Sequence, residues 1–258
     1  MNLKGMKTSN PAMAKMEQAS MSLGPVDEFI VDDTQRMTVN GTINKTGILL
    51  IIVAAVAAWS WQNILTNPSL GYGLAVAGVI GALIASLVVS FKPTTAPIGA
   101  PIVAGFEGLF VGAISAIFEM RYPGLVVQAV GLTVAVMFAM LFSYRTGLIK
   151  VTETFKKTII FATMGIGLFY LVSFIMSFFG AAPSYFHIGN NSWFNIGLNL
   201  FIVGLAALNL VLDFDFIERA SEQNTPKHME WFGAFGLMVT LVWLYIELLR
   251  LLARFQED

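Results

Sequence analysis

Seven apolar runs, each close to the length a helix needs to cross ~30 Å of hydrocarbon, dictate what this chain can fold into. They are Gly47 to Leu65, Tyr72 to Phe91, Pro101 to Phe118, Leu125 to Ser143, Ile159 to Phe179, Phe194 to Asp213 and Met229 to Leu252. The breaks between them (TNPSLG, KPTTAPIGAP, EMRYPG, YRTGLIKVTETFKK, GAAPSYFHIGNNS and DFIERASEQNTPKH) carry the turn and charge signals that end helices. The expected fold is all-α, a polytopic membrane protein of seven transmembrane helices. Residues 1–40 mix Lys, Met, Ser and Asp and read as a mobile or interfacial amino-terminal tail ahead of a transmembrane domain over 41–258. The tail has no apolar core of signal-peptide length, so the first membrane helix must direct insertion.

Composition removes whole classes of function. Of 258 residues, 56% are hydrophobic and only 12% charged, half the charged share of an ordinary soluble domain. A net charge of −1 offers no basic field, so nucleic acid is not an expected partner. The absence of cysteine excludes disulfides, thiolate metal sites and cysteine nucleophiles. Two histidines, His187 and His228, are too few for a histidine-based metal site and read as polar residues of interfacial loops. There is no GxSxG, HExxH or phosphate loop, and an enzyme is not expected.

Lys and Arg accumulate on the cytoplasmic side of membrane proteins. The second, fourth and sixth loops hold Lys92, then Arg145, Lys150, Lys156 and Lys157, then Arg219 and Lys227, whereas the odd-numbered loops hold only Arg121. The amino terminus is therefore expected in the cytoplasm. Arg250 and Arg254 then fall on the opposite side, against the rule, so either they snorkel or the last segment does not cross simply. Small residues at spacing four, Gly108, Gly112 and Ala116 in the third span and Gly78, Ala82 and Ser86 in the second, read as helix-packing seams.

Hydrocarbon does not solvate a carboxylate, so an acid within a span must face a protein interior or a water-filled cavity. Glu107 in the third span, Asp213 and Asp215 at the end of the sixth, and Glu230 and Glu247 in the seventh meet that description. Glu107 follows a proline-rich first turn, which predicts a kinked entrance beside a carboxylate; an interfacial cap is the plainer reading. Glu119 and Arg121 bracket a loop and read as solvated. Asn195, Asn199, Asn209 and Asp213 share one face of a 3.6-residue helix, a polar stripe that either bonds neighbouring helices or lines a path. Gly233, Gly236, Thr240, Trp243 and Glu247 share a face of the last span, where Glu247 can also pair simply with Arg250.

Several stretches resemble the Bax inhibitor-1, or transmembrane Bax inhibitor motif, family, most closely its bacterial branch. They are INKTGILL, FEGLFVGAIS, YPGLVVQAV, LFSYRTGLI, AALNLVLDFDFIERA and MEWFGAFGLMVTLVWLYIELLRLLARF, together covering the chain from about residue 40 to its end. The resemblance implies seven helices with a central last helix, residence in the bacterial inner membrane, and a pH-sensitive calcium leak. It also implies two acids, on helices six and seven, that share protons and gate the path: Asp213, with Asp215 as a neighbour, and Glu247, where the family usually has Asp. No resident cofactor is implied, only calcium or another cation in transit.

One distance stands against direct pairing. If the last helix starts at Met229, Glu247 lies about 27 Å along it, near the opposite surface, and Glu230 is then the nearer partner for Asp213. A function of another class stays open: an interaction protein that modulates a membrane-anchored protease or another membrane complex, using its amino-terminal tail. A small-molecule transporter is a weaker option, because the two halves show no clear repeat.

Overall fold

The computed structural model describes residues 36–180 and 192–256, apart from the side chain of Phe178. Residues 1–35, and with them most of the expected tail, and His187 lie outside the described residues. Among the described residues there are seven helices long and apolar enough to cross a membrane. They are α1 (Val39–Thr66), α2 (Pro68–Phe91), α3 (Ala96–Arg121), α4 (Leu125–Arg145), α5 (Glu153–Phe178), α6 (Trp193–Glu222) and α7 (Met229–Phe255), with a 3-10 turn, Pro93–Thr95, between α2 and α3.

Local chemistry sets where these helices start. Thr38 caps α1 by accepting from Gly41 N at 3.0 Å, Asn67 caps α2 ahead of Pro68, and Thr152 caps α5 by accepting from Phe155 N at 3.2 Å. Glu119, expected to be solvated, instead accepts from Gly124 N at 2.6 Å and Val126 N at 3.0 Å. It supplies the acceptor that α4 lacks at its N-terminus, because Gly124 in the cap position has no side chain and a φ of 86°.

Two expectations about helix ends are corrected. The entrance of the third span is not broken beside the carboxylate: α3 runs as one helix from Ala96 through Pro101, and the irregular proline-bearing segment is the 3-10 turn Pro93–Thr95 before it. The sixth span does not stop at Asp213: α6 continues nine residues further to Glu222. The charges that end its apolar run favour helix, since Arg219 Nε donates to Asp215 Oδ1 at 2.8 Å, one turn back.

The last helix is central. Of its most apolar stretch 67% is buried, against 11% for α2 and for α5, and it packs along α1, α3, α4 and α6. The sequence seams mark how the bundle closes. A Cβ on Gly112 would stand 2.7 Å from the Ala57 carbonyl carbon, one on Gly108 2.8 Å from Val53 O, and one on Gly78 2.7 Å from Phe106 O. Glycine there lets the α1, α2 and α3 backbones touch, which is how helices associate where the solvent is itself apolar. α5 packs chiefly on α6, and this stand-off leaves a space beside α7.

Candidate functional site

The described acids fall into four settings. At the end of the bundle that carries the start of α1, Glu230 is 1% exposed and accepts from Thr38 N and Thr38 Oγ1, each at 2.9 Å, while Lys45 Nζ pairs with its other oxygen. A Cβ on Gly41 would land on this carboxylate. Glu230 thereby ties the first turn of α7 to the first turn of α1, and it is not a partner for Asp213. At the same end Asp215 is held between Lys156 Nζ at 2.9 Å and Arg219 Nε at 2.8 Å, and Tyr144 donates to Glu218. Asp215 is thus charge-compensated from α5 and from its own helix.

Near the other end, Glu247 is 1% exposed and has three partners on three helices. Arg250 NH1 donates to Oε1 at 2.9 Å, Tyr170 Oη of α5 donates to Oε1 at 2.6 Å, and Asn199 Nδ2 of α6 donates to Oε2 at 2.9 Å. Both readings of the sequence are realised here: the Glu247–Arg250 pair is present, and the stripe asparagine bonds helix to helix. Arg250 is largely covered and Arg254 is 4% exposed, so neither snorkels to the surface, and α7 crosses as one helix. Asn209 leaves the stripe to donate to Thr163 Oγ1 of α5 at 2.8 Å, whereas Asn195 is buried near the start of α6.

Asp213 differs from these. It faces α7 at Gly236, where an added Cβ would lie 3.6 Å from its Oδ1, with the Thr240 side chain as its polar neighbour. Its Oδ2 is buried and has no hydrogen-bond partner among the described residues. Because α6 and α7 are antiparallel, with Asn199 at Glu247 and Asp213 at Gly236, the two acids lie about 16 Å apart along α7. The structure does not bring Asp213 and Glu247 together, nor Asp213 and Glu230.

Glu107 is the second acid without compensation. Its Oε2 is buried and unpartnered among the described residues, as is Trp243 Nε1 on α7. Both line a cavity of about 720 Å³ between α2, α3, α5 and α7, to which α6 contributes no residue. Alongside it, Ser115 Oγ and Tyr245 Oη meet at 2.6 Å and fix the depth of α3 against α7. Among the described residues no three His, Cys, Asp or Glu side chains converge as a metal cage.

Sequence reasoning did not single out Lys45, Thr38, Tyr170 or Thr163, the partners of the buried acids and of Asn209. A signal existed for Lys45. A lysine just ahead of the first apolar run and an acid opening the last one start from the same membrane face.

Seven apolar helices with a few carboxylates buried among them define a multi-pass membrane protein. The chain belongs to the Bax inhibitor 1 like family, whose family model matches residues 5–257. Comparison with curated proteins and with solved structures finds no match.

Proposed function

We propose that this protein is a pH-sensitive cation leak, with calcium as the expected ion and Asp213 as its titrating group. The observation that carries the reading is the buried Asp213 oxygen that meets no donor within a membrane span. A bare carboxylate there is costly, and either a proton or a cation passing with its water shell relieves that cost. Competition between the two for one oxygen makes cation passage depend on pH. Gly236 supports the role, because its missing side chain leaves α7 open opposite the carboxylate. Glu247 belongs to the scaffold of this path: its bonds to Asn199, Tyr170 and Arg250 set the α6–α7 register that positions Asp213. Family membership is the second support for the leak, and the basic even-numbered loops are the support for a cytoplasmic amino terminus.

Calcium entry into liposomes that contain the purified protein tests the reading, with a calcium dye inside and the external pH varied. A leak whose rate changes with pH is the expected result. No leak above protein-free liposomes at any pH overturns it.

A further inference from the structure

We propose that the cavity beside α7 is a binding site for an amphiphile whose cationic amine sits on Glu107 and whose apolar body runs along the cavity. Its volume of about 720 Å³ falls within the range of small-molecule sites, roughly 300–1,000 Å³. It does not touch Asp213, so the proposal is independent of the leak.

The walls are mostly hydrocarbon and aromatic, with Phe110, Phe118, Phe174 and Trp243 among them. The titratable groups on the lining are Glu107, Tyr170, Glu247, Arg250 and Arg254. Tyr170 and Arg250 both donate to Glu247, and Arg254 lies at the far end of α7. Glu107 comes eight residues before Ser115 on α3, and Arg254 nine residues after Tyr245 on the parallel helix α7. The contact between Ser115 and Tyr245 therefore separates Glu107 from Arg254 by roughly 25 Å of depth. The site is a long apolar slot with an uncompensated acid at its inner end.

Charge complementarity selects the occupant. A phospholipid acyl chain in the slot would press methylene groups against the Glu107 carboxylate and leave its buried oxygen unsatisfied. A bare divalent cation would find one carboxylate where it needs six to eight oxygen ligands. An alkylammonium group supplies both the charge and the donor that Oε2 lacks. α2 and α5, on the outer side, are not packed along one another, so the slot is reachable from the lipid.

The test is equilibrium binding of tritiated dodecylamine to the full-length protein in phosphatidylcholine nanodiscs, with empty nanodiscs subtracted. Saturable binding is expected, displaced at least ten times more effectively by unlabelled dodecylamine than by dodecanol. Glu107→Gln should weaken it at least tenfold, and Ile114→Trp, which fills the slot and leaves the acid in place, should abolish it. If Glu107→Gln does not fold, the amine–alcohol comparison and Ile114→Trp decide alone. Equal displacement by alcohol and amine means that the slot takes an acyl chain, and this overturns the proposal. No saturable binding to the wild type overturns it as well.

Discussion

Asn199 donates to both the side chain and the backbone carbonyl of Glu247, at 2.9 and 3.3 Å, and this double bond between helices sets the register of α6 against α7. A slip of one turn would break both contacts and leave two buried polar groups unsatisfied inside a membrane, a cost of several kcal/mol. Every other residue on the facing helices inherits its partner from that register, including Asp213 and its place opposite Gly236.

Asp213 and Glu247 should accordingly behave as independent sites. At about 16 Å apart along α7, with no shared partner, their substitutions are expected to add within about 0.5 kcal/mol. The measurement is a double-mutant cycle on unfolding free energy in detergent, with Asp213→Asn and Glu247→Gln. A coupling above about 1.4 kcal/mol, one pKa unit, would mean that the two acids share a proton in the working protein and that the register moves.

Asn199→Leu should loosen the bundle at that point. It strips one donor from a buried carboxylate and also removes the contact with the α7 backbone, so a loss of about 2 kcal/mol of stability is expected. Thermal unfolding in detergent reads this directly. Asn209→Leu serves as the comparison, because it breaks the bond to Thr163 and one to Leu205 O of its own helix but strips no donor from a buried carboxylate, and it should cost about half as much. Equal effects would show that Asn199 does not hold the register.

Gly112→Ala should destabilise the contact between α1 and α3, because its new methyl group would meet the Ala57 backbone, which has no side chain to rotate away. Overpacking of this kind costs about 1–3 kcal/mol. Gly105→Ala is the control, since nothing lies within 4 Å of a Cβ there, and it should be neutral. A lower unfolding temperature for Gly112→Ala alone confirms the seam.

Much of this architecture is legible in the sequence because hydrophobic length is a one-dimensional signal. Seven runs gave seven helices, and the small-residue seams gave the α1–α3 and α2–α3 contacts. What escaped depends on pairing between distant helices. The positions of the acids at 107, 213, 215, 230 and 247 alone suggest burial, which is complete at 215, 230 and 247 and partial at 107 and 213, but they do not name partners: Glu230 takes Lys45, 185 residues away, and Glu247 takes Asn199 and Tyr170. The end of α6 escaped because Asp215, Glu218 and Arg219 end an apolar run without ending a helix. The slot beside Glu107 escaped because it exists through the spacing of α5, which packs chiefly on α6, from its other neighbours.

The segment 145–158 should face the cytoplasm, where its basic residues keep it under the positive-inside tendency. A membrane-impermeant thiol reagent applied to intact cells should leave Thr152→Cys unlabelled and react only after permeabilisation. Since the chain has no native cysteine, the introduced thiol is the only target. Labelling of intact cells would reverse the topology of all seven helices.

Asp213→Asn separates the titrating role of this residue from its packing role. Asparagine keeps the size of the side chain and still presents an oxygen toward Gly236 and Thr240, but it neither titrates nor attracts a cation by charge. If the path is controlled at this residue, flux through the variant should lose its pH dependence while unfolding changes little, because a buried charge without a counterion contributes nothing favourable to the fold. Gly236→Leu offers the complementary change, keeping the carboxylate and filling the space that faces it. Its flux should fall to the protein-free background across the whole pH range. A pH profile identical to wild type in Asp213→Asn removes Asp213 from the mechanism. Undiminished flux in Gly236→Leu shows instead that the ion passes elsewhere. Liposome calcium uptake at matched protein density reads both variants in one experiment.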